Sequence, residues 1–513
     1  MDKIFLTGRD LKLSDLGKVL NGNVIKLILT TRVRRQVLKS RLVIEKALAS
    51  SATGRPIYGV NTGFGKLANV KISNDEIGLL QKNVIRSHAT AIGPILPIPE
   101  TKLVMLFRIN TLVKGHSGVT LKLVNTLINM FNKGVYPLIP QKGSVGASGD
   151  LAPLSHLALG VIGEGPVIYK NKKMSARQAM RKAGLKPHEL TAKEGLALIN
   201  GTQVMTAILA SALLQAEHLC KMADIAGAVS LEGLKGTLTP FHPQIQVVRS
   251  HPGQSIVARN FRQILQSSKI LASHKDCPRV QDSYSLRCIP QVHGAVRDGI
   301  NYIKQVLERE INSATDNPLV FPETNQILSG GNFHGHPIAV VADWLGILLA
   351  GLTNISERRI EYLSNADLSG LPPFLVKKSG LNSGLMVAQV MAASLASENK
   401  IWAHPASVDS IPTSANKEDF VSMGTTAARK CRMIIENLEY VLAVELLCAT
   451  QALEFNKDLK PGKGVAAAYQ IIRKKVKPIN NDRVLKNDIE NLRNMVADRT
   501  IGQAVEKIIG RLK

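Results

Sequence analysis

Aromatic side chains are scarce in this sequence of 513 residues, which has 2 Trp, 8 Tyr and 11 Phe, or 4 % in total. Hydrophobic residues nevertheless make up 45 % and charged residues 20 %, a composition that is typical of globular proteins. The core must then be built mainly from Leu, Ile, Val and Ala, which favours helices that pack closely against helices. The length by itself allows roughly two to four domains.

Cysteine is also rare, and no two cysteines form a Cys-x-x-Cys pair or another metal-binding spacing. An odd, sparse set excludes a disulfide framework and indicates reduced thiols in an intracellular protein. No metal site is therefore predicted. The five residues are Cys220, Cys277, Cys288, Cys431 and Cys448.

Long hydrophobic runs are missing as well. The N-terminus lacks the apolar region of a signal peptide. The most apolar stretch, residues 338–352, carries Asp343 and is shorter than the roughly 20 residues that a membrane span requires. We therefore expect a soluble, cytoplasmic protein with no membrane partner.

Acidic residues are outnumbered, with 39 Asp and Glu against 65 Lys and Arg, so the formal net charge is +26. Such a charge attracts phosphate backbones, and a basic, non-enzymatic helical protein that binds nucleic acid is one hypothesis. The cations are spread along the chain, denser in residues 32–41 and 473–477, and no nucleic-acid-binding signature accompanies them. A solvated basic surface without a specific nucleic-acid partner is the favoured interpretation.

Helical periodicity dominates from about residue 111 onward, whereas residues 1–110 mix short apolar runs with Gly- and Pro-containing turns. The spacing of Val296, Ile300, Ile303, Leu307 and Ile311 predicts one helix face, followed by a turn at residues 316–318. Residues 425–460 contain no Gly or Pro and are apolar on more than one face. They predict a helix about 50 Å long inside a bundle, shared between subunits.

The most informative stretch is residues 143–156, GSVGASGDLAPLSH. In it the backbone nitrogen of Gly149 can attack the carbonyl carbon of Ala147 and close a five-membered ring, because glycine lets the chain fold tightly. Loss of water from that ring and from the Ser148 side chain leaves a methylidene conjugated to a carbonyl. The tripeptide can thus become an electrophile that the genetic code does not supply.

This loop resembles that of the aromatic amino acid ammonia-lyases, which build 4-methylidene-imidazol-5-one from Ala-Ser-Gly. Five further motifs are similar to family motifs and follow in the family's order: YGVNTGFG at 58–65, NGTQ at 200–203, QDSYSLR at 281–287, GGNFH at 330–334 and SANKED at 414–419. Because six separate matches cover most of the chain, the sequence is identified as a member of this family.

The resemblance implies a mainly α-helical, ammonia-lyase/fumarase-like fold. A small N-terminal globular domain would cover residues 1–110 with the Tyr58 loop, and an elongated helical-bundle domain residues 111–513 with the electrophile. It also implies a homotetramer whose active sites are shared between subunits, and a 4-methylidene-imidazol-5-one group without a metal or a dissociable cofactor.

The resemblance assigns catalytic roles to several side chains. Tyr58 would be the base that removes the β-proton, with the help of a nearby positive charge or donor because a free phenol titrates near about 10. Arg287 would hold the substrate carboxylate with its planar fork. Asn200 would donate to the imidazolone oxygen. Tyr284 would orient the site or help form the electrophile, Phe333 would pack against the prosthetic group, and Asp150 would assist ring closure.

Two routes of elimination are open at this point. In one, the substrate amine adds to the methylidene, and in the other the aromatic ring of the substrate attacks it. Addition of the amine makes it a better leaving group. The residues of the chain are compatible with either route.

Substrate choice depends on residues far from the loop. His88 occupies the position that resembles the family's selectivity residue, and a histidine suits a polar ring. Glu418 and Met386 are similar to the histidine-selective version, since a carboxylate can accept a hydrogen bond from an imidazole N–H. The sequence therefore predicts elimination of ammonia from L-histidine to give trans-urocanate. A tyrosine ammonia-lyase or an aminomutase of the same family is the alternative.

Four positions depart from the usual family pattern. Lys417 and Phe420 replace the typical Gln and His beside Glu418. His293 stands where Met is common, and His336 where an acidic or amide residue is common. These changes leave the electrophile untouched and bear only on substrate choice and rate.

Overall fold

The structure is a computed structural model that describes residues 2–23, 25–50, 56–274 and 279–513. The chain divides into two compact units. Unit 1 comprises Met1–Ser211, Lys304–Asp343 and Pro405–Arg429, and unit 2 comprises Ala212–Ile303, Trp344–His404 and Lys430–Lys513. The expected division near residue 110 stays a prediction. Cys277 lies outside the described residues.

The described residues are mainly helical, as predicted. The helices are α1 Leu13–Leu20, α2 Thr31–Ser50, α3 Ile77–His88, α4 Ile98–Val113, α5 Leu121–Asn132, α6 Leu151–Val161, α7 Ala176–Lys182, α8 Glu194–Ile199, α9 Gln203–Gly233, α10 Pro243–Val247, α11 Pro252–Ile264, α12 Lys269–Ala272, α13 Tyr284–Arg287, α14 Ile289–Glu310, α15 His336–Ser364, α16 Ala366–Ser369, α17 Met386–Trp402, α18 Gly424–Leu453, α19 Lys463–Arg473, α20 Lys486–Ala497 and α21 Thr500–Ile509. Short 3-10 helices cover Gly65–Leu67, Thr239–Phe241, Pro373–Leu375 and Glu454–Asn456.

The strands of the described residues are short and lie in unit 1. They are β1 Asp2–Leu6, β2 Ile25–Leu29, β3 Ile92–Ile95, β4 Tyr136–Pro137, β5 Pro140–Lys142, β6 Pro166–Tyr169, β7 Lys172–Ser175, β8 Leu319–Phe321 and β9 Gln326–Leu328. β1 and β2 pair in parallel, with Asp2 opposite Ile25. The antiparallel pairs are β3 with β5, β4 with β6, β6 with β7, and β8 with β9.

Packing in unit 1 brings three helix ends together. α4 is buried on all faces from Leu103 to Val113, and α6 packs against both α3 and α8. α3 ends at His88, α6 begins directly after Asp150, and α8 ends directly before Asn200. The apolar faces of three helices therefore position three of the predicted site residues.

Unit 2 is built from helices alone among its described residues. α19 packs against α11 and α21, and α20 packs against α21. A fully buried ion pair lies in its core, where Arg359 Nη2 is 2.9 Å from Glu445 Oε2. Ser230 donates to the same carboxylate at 2.7 Å, so the buried charge is well satisfied.

The predicted amphipathic helix is confirmed. α14 runs from Ile289 to Glu310, and the five apolar residues that predicted it are between 0 and 4 % exposed. The helix predicted over residues 425–460 is shorter than expected, because α18 ends at Leu453 and a single 3-10 turn follows. There Glu454 accepts hydrogen bonds from Tyr469 at 2.7 Å and Arg473 at 2.8 Å, which ties this turn to α19.

The apolar stretch around residue 343 belongs to a longer helix than the sequence suggested. α15 has 29 residues, and by length and composition it is the one helix among those described that could cross a membrane. Since 67 % of its most apolar window is buried within the protein, it has the character of a core helix.

Candidate active site

The loop between β5 and α6 carries Ala147, Ser148 and Gly149 in a tightly folded conformation. Gly149 has φ +71°, and a Cβ at this position would collide with the backbone carbonyl of Gly201. The two glycines form a parallel bridge, and Asp150 N donates to Gly201 O at 2.7 Å. Only glycine fits at this close approach of two backbone segments.

The carboxylate of Asp150 anchors the loop from inside the protein. Its Oδ2 accepts hydrogen bonds from the backbone N–H groups of Val204 at 2.9 Å and Met205 at 2.8 Å, in the first turn of α9. Its Oδ1 accepts from Ser144 Oγ at 3.1 Å and from Thr425 Oγ1. Complete burial raises the pKa of Asp150 in spite of these donors.

A cavity of about 1040 Å3 opens onto the loop in unit 1. Seven of the residues predicted for the site line it: Tyr58, His88, Ala147, Ser148, Asn200, Phe333 and Glu418. A smaller cavity of about 320 Å3 shares His88, Ser148 and Glu418 with it. The tertiary structure thus gathers side chains that are up to 360 positions apart in the sequence (58 to 418).

Ser148 is held by hydrogen bonds at its hydroxyl and at its carbonyl oxygen. Its hydroxyl donates to Glu418 Oε1 at 2.6 Å. Its carbonyl oxygen accepts from Asn200 Nδ2 at 2.9 Å. The group that would have to leave as water and the oxygen that would become the ring carbonyl therefore each have a dedicated partner.

Thr413 is a site residue that the sequence analysis missed. Its Oγ1 donates to Glu418 Oε2 at 2.6 Å, and the two residues pair through their backbones in an antiparallel bridge. Residues 414–416 between them all have positive φ. The sequence signal for Thr413 was a threonine just before a tight turn. That pattern is too common to indicate a site residue.

Arg108 is a second residue that the sequence did not reveal. Its guanidinium is fully buried and donates from Nη1 to Asn200 O at 2.7 Å and from Nη2 to Thr315 O at 3.3 Å. Burial lowers the pKa of Arg108 to about 10, while the charge of Asp316 opposes that shift. The group stays protonated at neutral pH and fixes the backbone of Asn200.

Tyr58 lies at the cavity wall with its hydroxyl 3.5 Å from the N–H of Gly65, and its ring meets the edge of Phe64. Burial raises the pKa of Tyr58, and the negative charge of Glu418 adds to that effect, whereas the Gly65 N–H lowers it. The phenol is thus protonated at neutral pH in this environment.

His88 faces the same cavity from the end of α3. Its Nδ1 is 3.0 Å from Ser87 Oγ. Burial lowers the pKa of His88, and the Val84 carbonyl and the Glu418 charge oppose that shift. The ring is therefore neutral near pH 7 and presents one N–H donor and one acceptor.

Two of the unusual residues contact each other beside the cavity. The Phe420 ring stacks on His334 with centroids 5.8 Å apart and meets His336 edge-on at 5.6 Å. His334 Nε2 also lies 3.2 Å from Phe420 O. Aromatic packing therefore accommodates both departures from the family pattern, and Lys417 lines the cavity next to them.

His293 also departs from the family pattern. It belongs to a cluster of buried polar side chains in unit 2. Its Nδ1 lies 2.8 Å from Asp224 Oδ1, and Arg297 contacts the other oxygen of that carboxylate at 2.6 Å. Burial lowers the pKa of His293. This histidine supports a buried polar network and does not line the 1040 Å3 cavity.

Three predicted site residues lie in unit 2 and do not line that cavity. Tyr284 and Arg287 form α13 in unit 2, where the Arg287 guanidinium lies 4.7 Å from the centre of the Tyr284 ring. Arg287 lines a separate cavity of about 1170 Å3. Met386 begins α17 in unit 2 and is 38 % exposed. Their roles stay predictions.

Comparison with known proteins identifies the family. Residues 11–474 match the aromatic amino acid lyase family. The chain belongs to that family. The predicted ammonia-lyase class is thereby confirmed.

Individual relatives agree with this assignment. The chain is 50 % identical over 494 residues to the histidine ammonia-lyase of Myxococcus xanthus, covering 96 % of each protein. It is similar to the crystal structure of histidine ammonia-lyase from Trypanosoma cruzi, with a TM-score of 0.90, 40 % identity, and coverage of 99 % of this chain and 96 % of that one. Tyrosine aminomutase from Streptomyces globisporus matches with a TM-score of 0.92 and 34 % identity over 100 % of both chains.

We predict that Gly149→Ala destabilises the protein by about 1–3 kcal/mol, because the new methyl group meets the Gly201 carbonyl and alanine is strained at φ +71°. Gly330→Ala is the matched control, since a Cβ there has open space around it. The midpoint of thermal unfolding measures the effect. Equal unfolding midpoints for the two variants would contradict this prediction, since the loop would then accommodate the methyl group without loss of stability.

Proposed function

We propose that this protein eliminates ammonia from L-histidine and releases trans-urocanate. The observation that carries the proposal is the pairing of the Ser148 hydroxyl with Glu418 inside a cavity that His88 and Tyr58 also line. The full-length similarity to histidine ammonia-lyases supports the choice of substrate. The alternative, chemistry on tyrosine, gains support from the likeness to tyrosine aminomutase.

The loop residues fit a 4-methylidene-imidazol-5-one group made from Ala147, Ser148 and Gly149. Gly149 is held in a turn that admits no side chain, and Asn200 Nδ2 already donates to the oxygen that would become the ring carbonyl. The group would supply an electrophile that bonds covalently to the substrate. Phe333 lines the cavity beside it, and no dissociable cofactor is required in this scheme.

Asp150 would assist ring closure by keeping the loop bent. Its carboxylate bonds to the N-terminal turn of α9 and, through Ser144, to the segment that precedes the tripeptide. Ser144 Oγ is also 3.3 Å from Gly149 O. These contacts reduce the conformational entropy that the ring-closing residues would otherwise lose.

Asn200 would serve the prosthetic group and the substrate together. Among the described residues no group donates to its Oδ1, although the residue is only 4 % exposed. That acceptor is available to an N–H of the substrate, while Nδ2 stabilises charge on the ring carbonyl oxygen. Arg108 fixes the backbone that carries this side chain through its bond to the carbonyl oxygen of Asn200.

The imidazole of the substrate would be recognised by Glu418 and His88. Thr413 holds one oxygen of the Glu418 carboxylate, so the other oxygen points to Ser148. Once Ser148 has lost its hydroxyl, that second oxygen would be free to accept a hydrogen bond from an imidazole N–H. Neutral His88 supplies a further polar contact at the same wall.

Tyr58 would accept the β-proton once its pKa is lowered. Within unit 1 the Gly65 N–H is the influence that lowers this pKa, and burial outweighs it. A cation from elsewhere must then approach the phenol. Arg287, which does not line this cavity in its own chain, would be supplied by a second copy and would also bind the substrate carboxylate.

We also propose a homotetramer with shared active sites, and the need for Arg287 from a second copy supports association of subunits. Tyr284, Arg287 and Met386 would each reach a cavity formed by another subunit. Exposed apolar side chains in unit 2 support association, among them Val387 at 69 % and Ile401 at 66 % on α17. Patches of this kind commonly mark subunit interfaces.

We place this activity in the cytoplasm. Cys220, Cys288 and Cys448 are free thiols, and burial raises the pKa of Cys220 to about 12. Cys220 and Cys448 are buried. Buried thiols are unreactive and suit a reducing compartment.

The purified protein should convert L-histidine to a product with the absorbance of urocanate and should act poorly on L-tyrosine and L-phenylalanine. The physical reason is the carboxylate of Glu418, which can accept a hydrogen bond from an imidazole N–H and can stabilise its protonated form. The phenyl ring of phenylalanine has no donor, and the phenol of tyrosine has no cationic form. Spectrophotometric assays with the three amino acids make the comparison. Coumarate or β-tyrosine from L-tyrosine as the main product would overturn the assignment.

Ser148→Ala should abolish turnover because no methylidene can form without the β-hydroxyl. The intact mass of the unaltered protein should be lower than the sequence mass by two waters, about 36 Da. Mass spectrometry of both proteins provides the measurement. A full-mass, active wild-type protein, or an active Ser148→Ala variant, would contradict the proposed prosthetic group.

Thr413→Val should lower kcat/KM for L-histidine by roughly 10- to 100-fold, because Glu418 loses a hydrogen bond that orients its charged group. Thr413→Ser keeps the hydroxyl and should stay within a few-fold of wild type. Steady-state kinetics of both variants provide the measurement. Their midpoints of thermal unfolding should match, so that a folding defect is excluded. A Thr413→Ser variant as impaired as Thr413→Val would contradict the proposed role of the hydroxyl, since only Thr413→Val removes that group.

A further inference from the structure

A strongly basic surface lies outside the candidate site, on β6, β7 and α7 of unit 1. Residues 165–188 contain no Asp or Glu. All the Lys and Arg side chains of this segment are exposed, namely Lys170, Lys172, Lys173, Arg177, Arg181, Lys182 and Lys186. We call this set the basic hairpin–helix surface.

A tight turn and hydrogen bonds at both ends of α7 fix the backbone of this surface. Lys170 and Asn171 form the two-residue turn between β6 and β7, both with positive φ as such hairpins require. Ser175 Oγ caps the start of α7 by accepting from Gln178 N at 3.4 Å. Lys133 closes its other end by donating to Ala183 O at 2.7 Å.

The arrangement of α7 directs its cations outward. Ala176, Ala179 and Met180 are buried against the rest of unit 1. Arg177 and Arg181 are four residues apart and therefore share an exposed face of the helix. α7 packs against β7, the strand that carries Lys172 and Lys173.

The charges of this surface are not neutralised within the protein. In the part of the chain that the structure describes, no side chain of the basic hairpin–helix surface forms an ion pair with a carboxylate. Glu164, which precedes the segment, forms ion pairs with Arg86 at 2.7 Å and with Lys82 at 3.4 Å. The surface therefore keeps its full positive potential for an outside partner.

The chemistry of the surface favours a phosphate backbone over a lipid bilayer. No large hydrophobic side chain of residues 165–188 is exposed, so nothing there could insert below lipid headgroups. Lysines on the edge strand β7 also prevent strand pairing with another molecule. That function does not account for Arg177 and Arg181, which lie on a helix.

We propose that the basic hairpin–helix surface binds the phosphodiester backbone of nucleic acids without sequence preference. Lys172, Lys173, Arg177 and Arg181 would contact phosphates, and release of counterions from the polyanion would supply most of the binding free energy. This binding is separate from the proposed lyase activity and requires none of its residues.

The test is salt-dependent binding of the full-length protein to a short fluorescein-labelled DNA duplex, followed by anisotropy. Each phosphate contact contributes about −0.9 to the slope of log K against log salt. The variant K172Q/K173Q/R177Q/R181Q should therefore have a slope shallower by about 3 to 4. The smaller variant R177Q/R181Q should change it by about 2.

A charge-matched control variant is available on α2. Arg32, Arg34, Arg35 and Lys39 are exposed there, and R32Q/R34Q/R35Q/K39Q removes the same net charge. The proposal expects the control to keep a slope within about one contact of wild type. Turnover of L-histidine should be unchanged in all three variants, which shows that each is folded.

Three results would overturn the proposal. One is equal loss of binding in the control and in the hairpin–helix variants, which would mean diffuse attraction by the net charge. Another is absence of DNA binding by the wild-type protein at low salt. The third is loss of binding to vesicles of anionic lipid, but not to DNA, in the hairpin–helix variants, which would identify a membrane as the partner.

Discussion

The close approach of the backbone at Gly149 to the backbone at Gly201 is the constraint on which the candidate site depends. The bridge between these glycines and the bond from Asp150 N to Gly201 O join the loop to the segment that opens α9. The buried Asp150 carboxylate strengthens the junction, because the partial positive charge of a helix N-terminus favours an anion. Asn200 directly precedes Gly201 and is thereby set against Ser148.

The buried charged groups around this junction fix the positions of neighbouring backbone atoms more than they add to the stability of the protein. Arg108 is fully buried between the carbonyls of Asn200 and Thr315. Lys193 Nζ lies 3.0 Å from Asp316 in the same region, and both are fully buried. Desolvation of such groups offsets much of their attraction, so their clear consequence is a defined geometry of the neighbouring backbone.

Sequence reasoning succeeded where the signal is local. The apolar spacing of α14 predicted a helix because side-chain burial repeats with the helical period. The end of α18 at Leu453 was not predicted, since residues 454–460 carry no helix breaker and the contacts of Glu454 with Tyr469 and Arg473 decide it. Arg108 was missed for a related reason, because its partner Asn200 lies 92 residues away.

By itself the sequence determined the class of chemistry and the helical character of the protein. The atoms of Ala147, Ser148 and Gly149 that would form the proposed ring belong to consecutive residues, so the chain connectivity already keeps them near one another. Only the tertiary structure decided that Glu418 meets the Ser148 hydroxyl across 270 residues, with Thr413 orienting it. Hydrogen bonds act over about 3 Å whatever the separation along the chain, and packing of the whole unit sets which groups come that close.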